Sequence, residues 1–283
     1  LEFLVKGSKN SFVGSQFIKP LEDITANLQL TREQDQLKQM HPVDIADIIE
    51  DLDTAERADF LHNLDNLTAA EALAEVDLDT QVEIIEQMDS FRASDILEEM
   101  APDEAADILG ELSSDKSNEL LGLMQPEEAE DVRELMKYPE DEAGSLMTTE
   151  YISFNSGMTA GETIDRLREL APSAETIYYL YVIDEQEILQ GVLSLRDLII
   201  AKPDLVLADL MSKRVVSVNH HADRQKVLDV VSKYNLLAVP VVDEQCIMLG
   251  IITIDDVIEE MLPDRSGLET FSHFMLPHKP FRR

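Results

Sequence analysis

Between residues 31 and 137 the chain repeats one short design. The segments "HPVDIADIIEDLD", "TAERADFLHNLD", "LTAAEALAEVD", "LDTQVEIIEQMD", "FRASDILEEM", "APDEAADILGEL", "SSDKSNELLGLM" and "QPEEAEDVRELM" follow one another. Each opens with Pro, Ser, Thr or Asp near a capping position, continues with acids and apolar residues at helical spacing, and closes on Leu, Met or Asp. The pitch of roughly 11–13 residues allows one short helix and a turn. A helix that short is marginal in isolation and has to bury its stripe on its neighbours. The design therefore predicts a superhelical stack of short α-helices over 31–137.

The pattern breaks at "MKYPEDEAGSLMT", where Pro139 and Gly144 flank acids without an apolar stripe. This predicts a linker at 138–145. From 146 the texture is mixed α/β, and "LQGVLSLRDLI" aligns with "MLGIITIDDVI" at a period near 60 residues. The duplicated unit predicts two small α/β domains, 146–203 and 207–262. The flanks, 1–30 and 263–283, lack the acidic excess of the middle and read as an irregular segment and an atypical tail.

Charge limits function. Acids number 58 against 23 bases, a formal net charge of −35. Such a surface repels nucleic acid, so no nucleic-acid partner is expected. No apolar run reaches about 18 residues, the length of a bilayer span, and the start of the sequence lacks a secretory pattern. The single cysteine, Cys246, excludes an internal disulfide and a multi-cysteine metal site, and "QCIMLGII" suggests a small core residue. The six histidines are scattered. His220 and His221 are adjacent at a strand end, a poor arrangement for one ion. There is no GxGxxG, P-loop or HExxH, and no nucleophile with a matching base, so no enzyme is expected.

The stretch "GIITIDDVIEE" concentrates the charge. Gly250 to Ile254 reads as a buried strand. Asp255 and Asp256 then stand at a helix start, where free N–H groups and the dipole favour an acid by about 0.3–1 kcal/mol. Glu259 and Glu260 lie a turn later and repel the first pair by about 0.2–0.5 kcal/mol each. A partner cation is one reason to tolerate that repulsion.

The duplicated β-α-β-β-α unit closing in "GVLSLRD" and "GIITIDD" resembles the CBS domain, and the tandem resembles a Bateman module. The acidic short-helix array and "YPEDEAGSLMT" resemble the amino-terminal domain and junction of bacterial MgtE magnesium transporters. The resemblance covers about 31–262 and departs after Met261, where "LPDRSGLETFSHFMLPHKPFRR" is unlike the family's connecting helix to its pore. It implies the cytosolic Mg2+-sensing region of a magnesium channel, on the cytoplasmic face of the membrane, with the pore domain as its partner and absent here.

The resemblance further implies Mg2+ bridging acids of the helical domain to acids of the CBS pair and so closing the pore. The CBS-side acids are then Asp255, Asp256 and Glu259, and the helical-domain acids are Asp103 and Asp107, with Glu71 as a further candidate. Asn235 stands where the family often has an acid. The family's nucleotide site falls on Tyr179 for a base and on Arg196 and Asp197 for phosphate and ribose, which makes ATP a candidate ligand. A homodimer through the CBS half is expected, because apolar helices such as "DRQKVLDVV" and "VIEEM" are only partly buried by one unit. The residues agree in kind. Mg2+ takes hard oxygen ligands and keeps several waters, and Asp103 and Asp107 at i,i+4 share a helix face. Solvated acids, helix caps at Asp197 and Asp256, and a core Tyr179 are the plain alternative. A soluble adenine-nucleotide sensor with a helical protein-docking domain is the competing function.

Overall fold

The computed structural model describes Leu37 and residues 40–261, apart from 172, 173 and 175. The expected irregular segment 1–30 and tail 263–283 lie outside the described residues. The chain divides into two compact units, Leu1–Met136 and Lys137–Arg283.

Eight α-helices are described in the first unit: α1 Pro42–Glu50, α2 Thr54–His62, α3 Asn66–Ala74, α4 Leu78–Gln87, α5 Ser90–Leu97, α6 Pro102–Glu111, α7 Ser114–Leu123 and α8 Pro126–Leu135. Each packs chiefly against the next but one, α1 on α3, α2 on α4, and so on to α6 on α8. Two interleaved rows result, which is the superhelical stack the repeat predicts. Many of the acids start helices. Asp65 accepts from the Thr68 N–H at 3.2 Å, Asp77 from Thr80 at 3.0 Å, and Asp89 from Phe91 at 3.1 Å. Proline opens α1, α6 and α8, where its missing N–H costs nothing.

Helix ends are closed by side chains from other helices. The Gln81 amide on α4 donates to the carbonyls of Leu73, Ala74 and Val76 at 2.9, 3.2 and 2.7 Å. Arg57 on α2 donates to Ile49, Glu50 and Leu52 at the end of α1. Arg92 on α5 donates to Leu61 and Leu64 at the end of α2. These are the orphan carbonyls that any helix C-terminus leaves. In a chain poor in bases, these arginines hold the stack together.

The second unit contains two copies of one α/β motif. The first has β1 Ser153–Asn155, α9 Ala160–Leu170, β2 Tyr179–Ile183, β3 Leu189–Ser194 and α10 Leu195–Ile200. After the short α11 Leu207–Leu210 come β4 Val218–Asn219, α12 Arg224–Tyr234, β5 Ala238–Val242, β6 Met248–Thr253 and α13 Ile254–Met261. Each sheet has a parallel pair followed by an antiparallel hairpin, in the order β1-β2-β3 and β4-β5-β6. Strand alternation divides β2 between two cores. Leu180 and Val182 enter the first repeat's own core, with Phe154, Leu167 and Leu193. Tyr181 points the other way, onto Ala238, Met248 and Ile251 of the second repeat.

The segment expected as a linker at 138–145 is fastened to the second repeat. The N–H groups of Ala143 and Gly144 donate to Ala222 and His220 at 2.7 and 2.9 Å, and Thr148 bridges Ile251. A Cβ on Gly144 would overlap the Tyr138 ring, and one on Gly250 would meet the Thr148 carbonyl at 2.5 Å. The segment before the second repeat does the converse. The N–H groups of Leu207 and Ala208 donate to Met158 and Ser156, and Ser212 bridges Val192 of the first repeat. "SLMT" and "DLMS" are thus matching arms, each laid on the repeat it does not lead into.

Cys246 is not a core residue. It is exposed in the β5–β6 turn with φ of 62°, and Glu187 occupies the matching turn with φ of 61°. The side chain of Asp243 organises the turn by accepting from Gln245 and Ile247, both at 2.8 Å. The apolar run suggesting a buried cysteine begins only after it.

Candidate functional site

The hairpin register places the sequence-predicted residues of the second unit. Tyr179 pairs with Ser194, and Ala238 pairs with Thr253. Ser194 and Thr253 therefore start α10 and α13 at equivalent places. Arg196–Asp197 in the first repeat corresponds to Asp255–Asp256 in the second. Tyr179 is half-buried at the start of β2, beside the turn that exposes Arg196 and Asp197. One location thus carries a cation and an acid in one copy and two acids in the other.

Both inner aspartates have a structural task. Ser194 Oγ donates to Asp197 Oδ2 at 2.6 Å, and the Asp197 N–H donates back to Ser194 Oγ at 3.1 Å. Asp256 Oδ2 accepts from Thr253 N–H and Oγ1 at 3.0 and 2.7 Å. These caps fix the first turn of each helix, and the one between Ser194 and Asp197 is reciprocal. Asp255 is exposed on the same turn. The Glu259 side chain lies outside the described residues. Asn235 ends α12 with φ of 52° and donates its N–H to Val231. An amide side chain tolerates that left-handed conformation, which gives Asn235 a conformational reason to stand where an acid was expected.

In the helical unit, Asp103 and Asp107 lie on α6, the first half-buried in the opening turn and the second exposed. Glu71 is exposed on α3, in the other row of the stack. A further acid emerges that the sequence did not single out. Glu128 on α8 has its carboxyl pushed above the ordinary range, first by partial burial and then by Asp131, Glu98, Glu127 and Glu99. Its signal was the acidic run "PEEAED", diluted by acids everywhere else.

His220 and His221 correct the reading of their spacing. Strand β4 ends at Asn219, and a turn follows in which the Asn219 side chain accepts from the His221 N–H at 2.9 Å. Strand alternation no longer applies, and the two rings lie 3.9 Å apart, tilted by 33°. The parallel β4–β5 pairing brings Glu244 alongside. Ligand atoms of His220, His221 and Glu244 lie within 4.8 Å of one another. His221 Nδ1 also meets Glu142 Oε2 at 2.6 Å, and this hydrogen bond raises the imidazole's affinity for its proton.

Residues 40–141 match the MgtE intracellular N domain, and residues 143–204 and 207–263 match the CBS domain. The magnesium transporter MgtE of Thermus thermophilus is 49% identical over 123 residues, 44% of this chain and 27% of that protein. MgtE of Enterococcus faecalis is 42% identical over 137 residues, 47% of this chain and 30% of that protein. The chain thus spans about three tenths of the length of these curated relatives. Among solved structures, the cytosolic domain of the Mg2+ channel MgtE in complex with ATP superposes with a TM-score of 0.76 at 38% identity, covering 80% of this chain and 93% of that one. The soluble part of a magnesium transporter gives 0.77 at 33% identity, covering 81% and 90%. Among the described residues no helix is long and apolar enough to cross a membrane. With two solved relatives above 30% identity covered almost end to end, the chain belongs to the MgtE magnesium-transporter family, a family of transporters and not of enzymes, and corresponds to its cytosolic N-domain and CBS region.

Proposed function

We propose that this chain is the Mg2+-sensing part of a magnesium transporter. Mg2+ binds between carboxylates of the helical unit and of the CBS unit, draws the two together and so closes the transporter's pore from the cytoplasmic side. The observation that carries this reading is the 38% identity across 93% of a structure described as the cytosolic domain of an Mg2+ channel. The charge of −35 supports it, because two units with a large excess of acids over bases repel each other until a dication intervenes. Asp103, Asp107, Asp255, Asp256 and Glu259 are the proposed contacts, with Glu71 as a further candidate. Closure is then a population shift no larger than the ion's differential affinity for the closed state. Small-angle scattering tests it. The radius of gyration should fall as Mg2+ rises into the millimolar range, and an unchanged value up to about 20 mM, well above a weak hydrated site's need, would remove the proposal.

The same reading includes an adenine nucleotide, of which ATP is the first candidate, at Tyr179, Arg196 and Asp197. The exposed guanidinium suits a phosphate, the carboxylate a ribose, and the half-buried ring a base. The absence of heat with ATP, ADP and AMP in calorimetry would overturn this part.

It also includes a homodimer through the CBS unit. Ile199 and Ile200 on α10, with Tyr234, Leu237 and Ile258 around α12 and α13, are large apolar side chains left exposed. A monomer mass by light scattering at tens of micromolar would refute it. The docking-domain reading has one observation in its favour, Phe91 at 69% exposure on α5. It predicts that Phe91→Ala abolishes capture of a partner and that the chain does not compact as Mg2+ rises.

A further inference from the structure

The two repeats make the same turn from strand to helix with different residues. In the first, Asn155 Oδ1 accepts from Gly157 N–H at 2.9 Å, and in the second Asn219 Oδ1 accepts from His221 N–H at 2.9 Å. The Asn155 and Asn219 carbonyls close the turns to Met158 and Ala222. The first turn carries Ser156 and Gly157 where the second carries His220 and His221. The fold therefore builds this turn without imidazoles. Nor does hydrogen bonding fully account for the first ring. Both ring nitrogens of His220 are shielded from solvent, and among the described residues Nδ1 lacks a hydrogen-bond partner and Nε2 has only the long 3.5 Å approach of Glu244 Oε1. A neutral imidazole has one N–H and one lone pair to satisfy, and buried polar atoms are rarely left so.

We propose that His220, His221 and Glu244 form a binding site for a transition-metal dication of the zinc class, with Glu142 positioning His221. The three ligand atoms lie within 4.8 Å of one another, and His220 Nε2 stands 3.5 Å from Glu244 Oε1. Ligands 2.0–2.2 Å from a tetrahedral zinc ion are about 3.3 Å apart, so the His220–Glu244 edge is already close to length. The remaining closure of about 1.5 Å falls to rotamers of His221 and Glu244, whose side chains are 57% and 59% exposed. With the Nδ1 proton of His221 directed at Glu142, its Nε2 carries the lone pair. A carboxylate holding the far nitrogen is the usual support of a metal-binding histidine. Three protein ligands leave the fourth position for water or another group. Imidazole nitrogen selects zinc, nickel or copper over Mg2+, which takes oxygen. The site therefore differs in chemistry from the all-oxygen contacts proposed for Mg2+, and it lies wholly within the CBS unit. A bound ion would pin Glu142, and with it the lead-in arm, to the second repeat.

Calorimetry of the full chain with zinc chloride tests this in a background of about 10 mM Mg2+, which occupies weak hydrated oxygen sites. One zinc ion per chain is expected at micromolar affinity or tighter. His221→Ala and Glu244→Gln should each weaken it at least tenfold, and Glu142→Gln by about tenfold. Unchanged affinity in both His221→Ala and Glu244→Gln overturns the site, as does zinc binding that Mg2+ competes away. A measurement on the unaltered protein guards against misfolded variants. Copper(II) bound at one equivalent should show coupling to two imidazole nitrogens in electron spin-echo spectra, and a spectrum without imidazole coupling also overturns the proposal.

Discussion

Ile188 pairs with Ile247 in an antiparallel bridge, so the hairpins of the two repeats meet turn to turn. Flanking bonds run from the Leu189 N–H to the Cys246 carbonyl at 2.9 Å and from the Met248 N–H to the Glu187 carbonyl at 3.1 Å. The seam between the repeats is therefore backbone-paired where each repeat places a left-handed residue, Glu187 and Cys246.

Cys246 should respond accordingly. A non-glycine residue in the left-handed region costs about 1–2 kcal/mol, against about 0.5–1 kcal/mol of extra unfolded-state freedom for glycine. Cys246→Gly is expected to be neutral or stabilising by about 0.5 kcal/mol, and Cys246→Val destabilising by about 1 kcal/mol. Urea unfolding of both variants checks this, and a core cysteine would give the opposite order. A thiol reagent should modify Cys246 in the native protein.

Gln81 is buried and serves three carbonyls at the end of α3. Gln81→Leu keeps much of the volume and removes every donor. A loss of about 2 kcal/mol is expected from the stranded acceptors, read as a lower urea midpoint at constant slope. An unchanged midpoint would mean that water replaces the amide at no cost.

Asp255 and Asp256 should separate capping from cation binding. Asp256→Ala removes the acceptor of both Thr253 bonds and should cost about 1 kcal/mol of stability without Mg2+. Asp255→Asn should leave that stability within about 0.5 kcal/mol, as exposed substitutions do, while weakening Mg2+-driven compaction in scattering. If Asp255→Asn compacts like the parent protein, Asp255 holds no ion.

Alkali should loosen the CBS unit through two tyrosines. Burial pushes the Tyr151 phenol up to about 12 and Tyr181 higher still, from an ordinary value of 10.0. The folded state thus keeps protons that the unfolded chain releases. Their contribution to stability is level below pH 10 and falls as pH rises from 10 towards 12. Tyr151→Phe forfeits the bond to the Met248 carbonyl, about 1 kcal/mol at neutral pH, but should flatten the alkaline limb. Thermal melts between pH 8 and 12 distinguish the two profiles.

Glu128 should give a milder effect of the same sign. Its raised carboxyl means that ionisation is disfavoured in the folded helical unit, so its contribution is lost as pH rises through its titration. Glu128→Gln is expected to stabilise that unit by a few tenths of a kcal/mol at neutral pH, given its solvent screening. The gain should shrink in millimolar Mg2+, and a thermal melt with and without the ion measures it.

Helix by helix, the first unit was legible because each element carries its own start signal and stripe, as Asp77 and Ile84–Ile85 do for α4. The duplication was legible because both copies keep Gly, a hydroxyl residue and Asp at fixed spacing. The His220–His221 pair was not, since its geometry depends on where β4 stops and on the β4–β5 register. Nor was the fastening of 138–145, because "EAGSLM" has no apolar period and is held by backbone bonds. Setting "VIDEQEIL" beside "VVDEQCIM" would have exposed the Cys246 turn from the sequence alone. The start of α13 at Asp255 and Asp256 and the capping alternative at Asp197 and Asp256 could be read directly, whereas their bonds to the Ser194 and Thr253 hydroxyls needed side-chain geometry.

The exchanged arms make the two CBS copies inseparable as fragments. Severing the chain between Lys202 and Val206 would leave the first copy without Ser212 on its open edge, while the second would lose Thr148 from Ile251. Neither piece alone could satisfy its last strand, so each should be insoluble or self-associate when expressed separately. Mixed together, they should restore one folded body, because each holds the missing strand of the other.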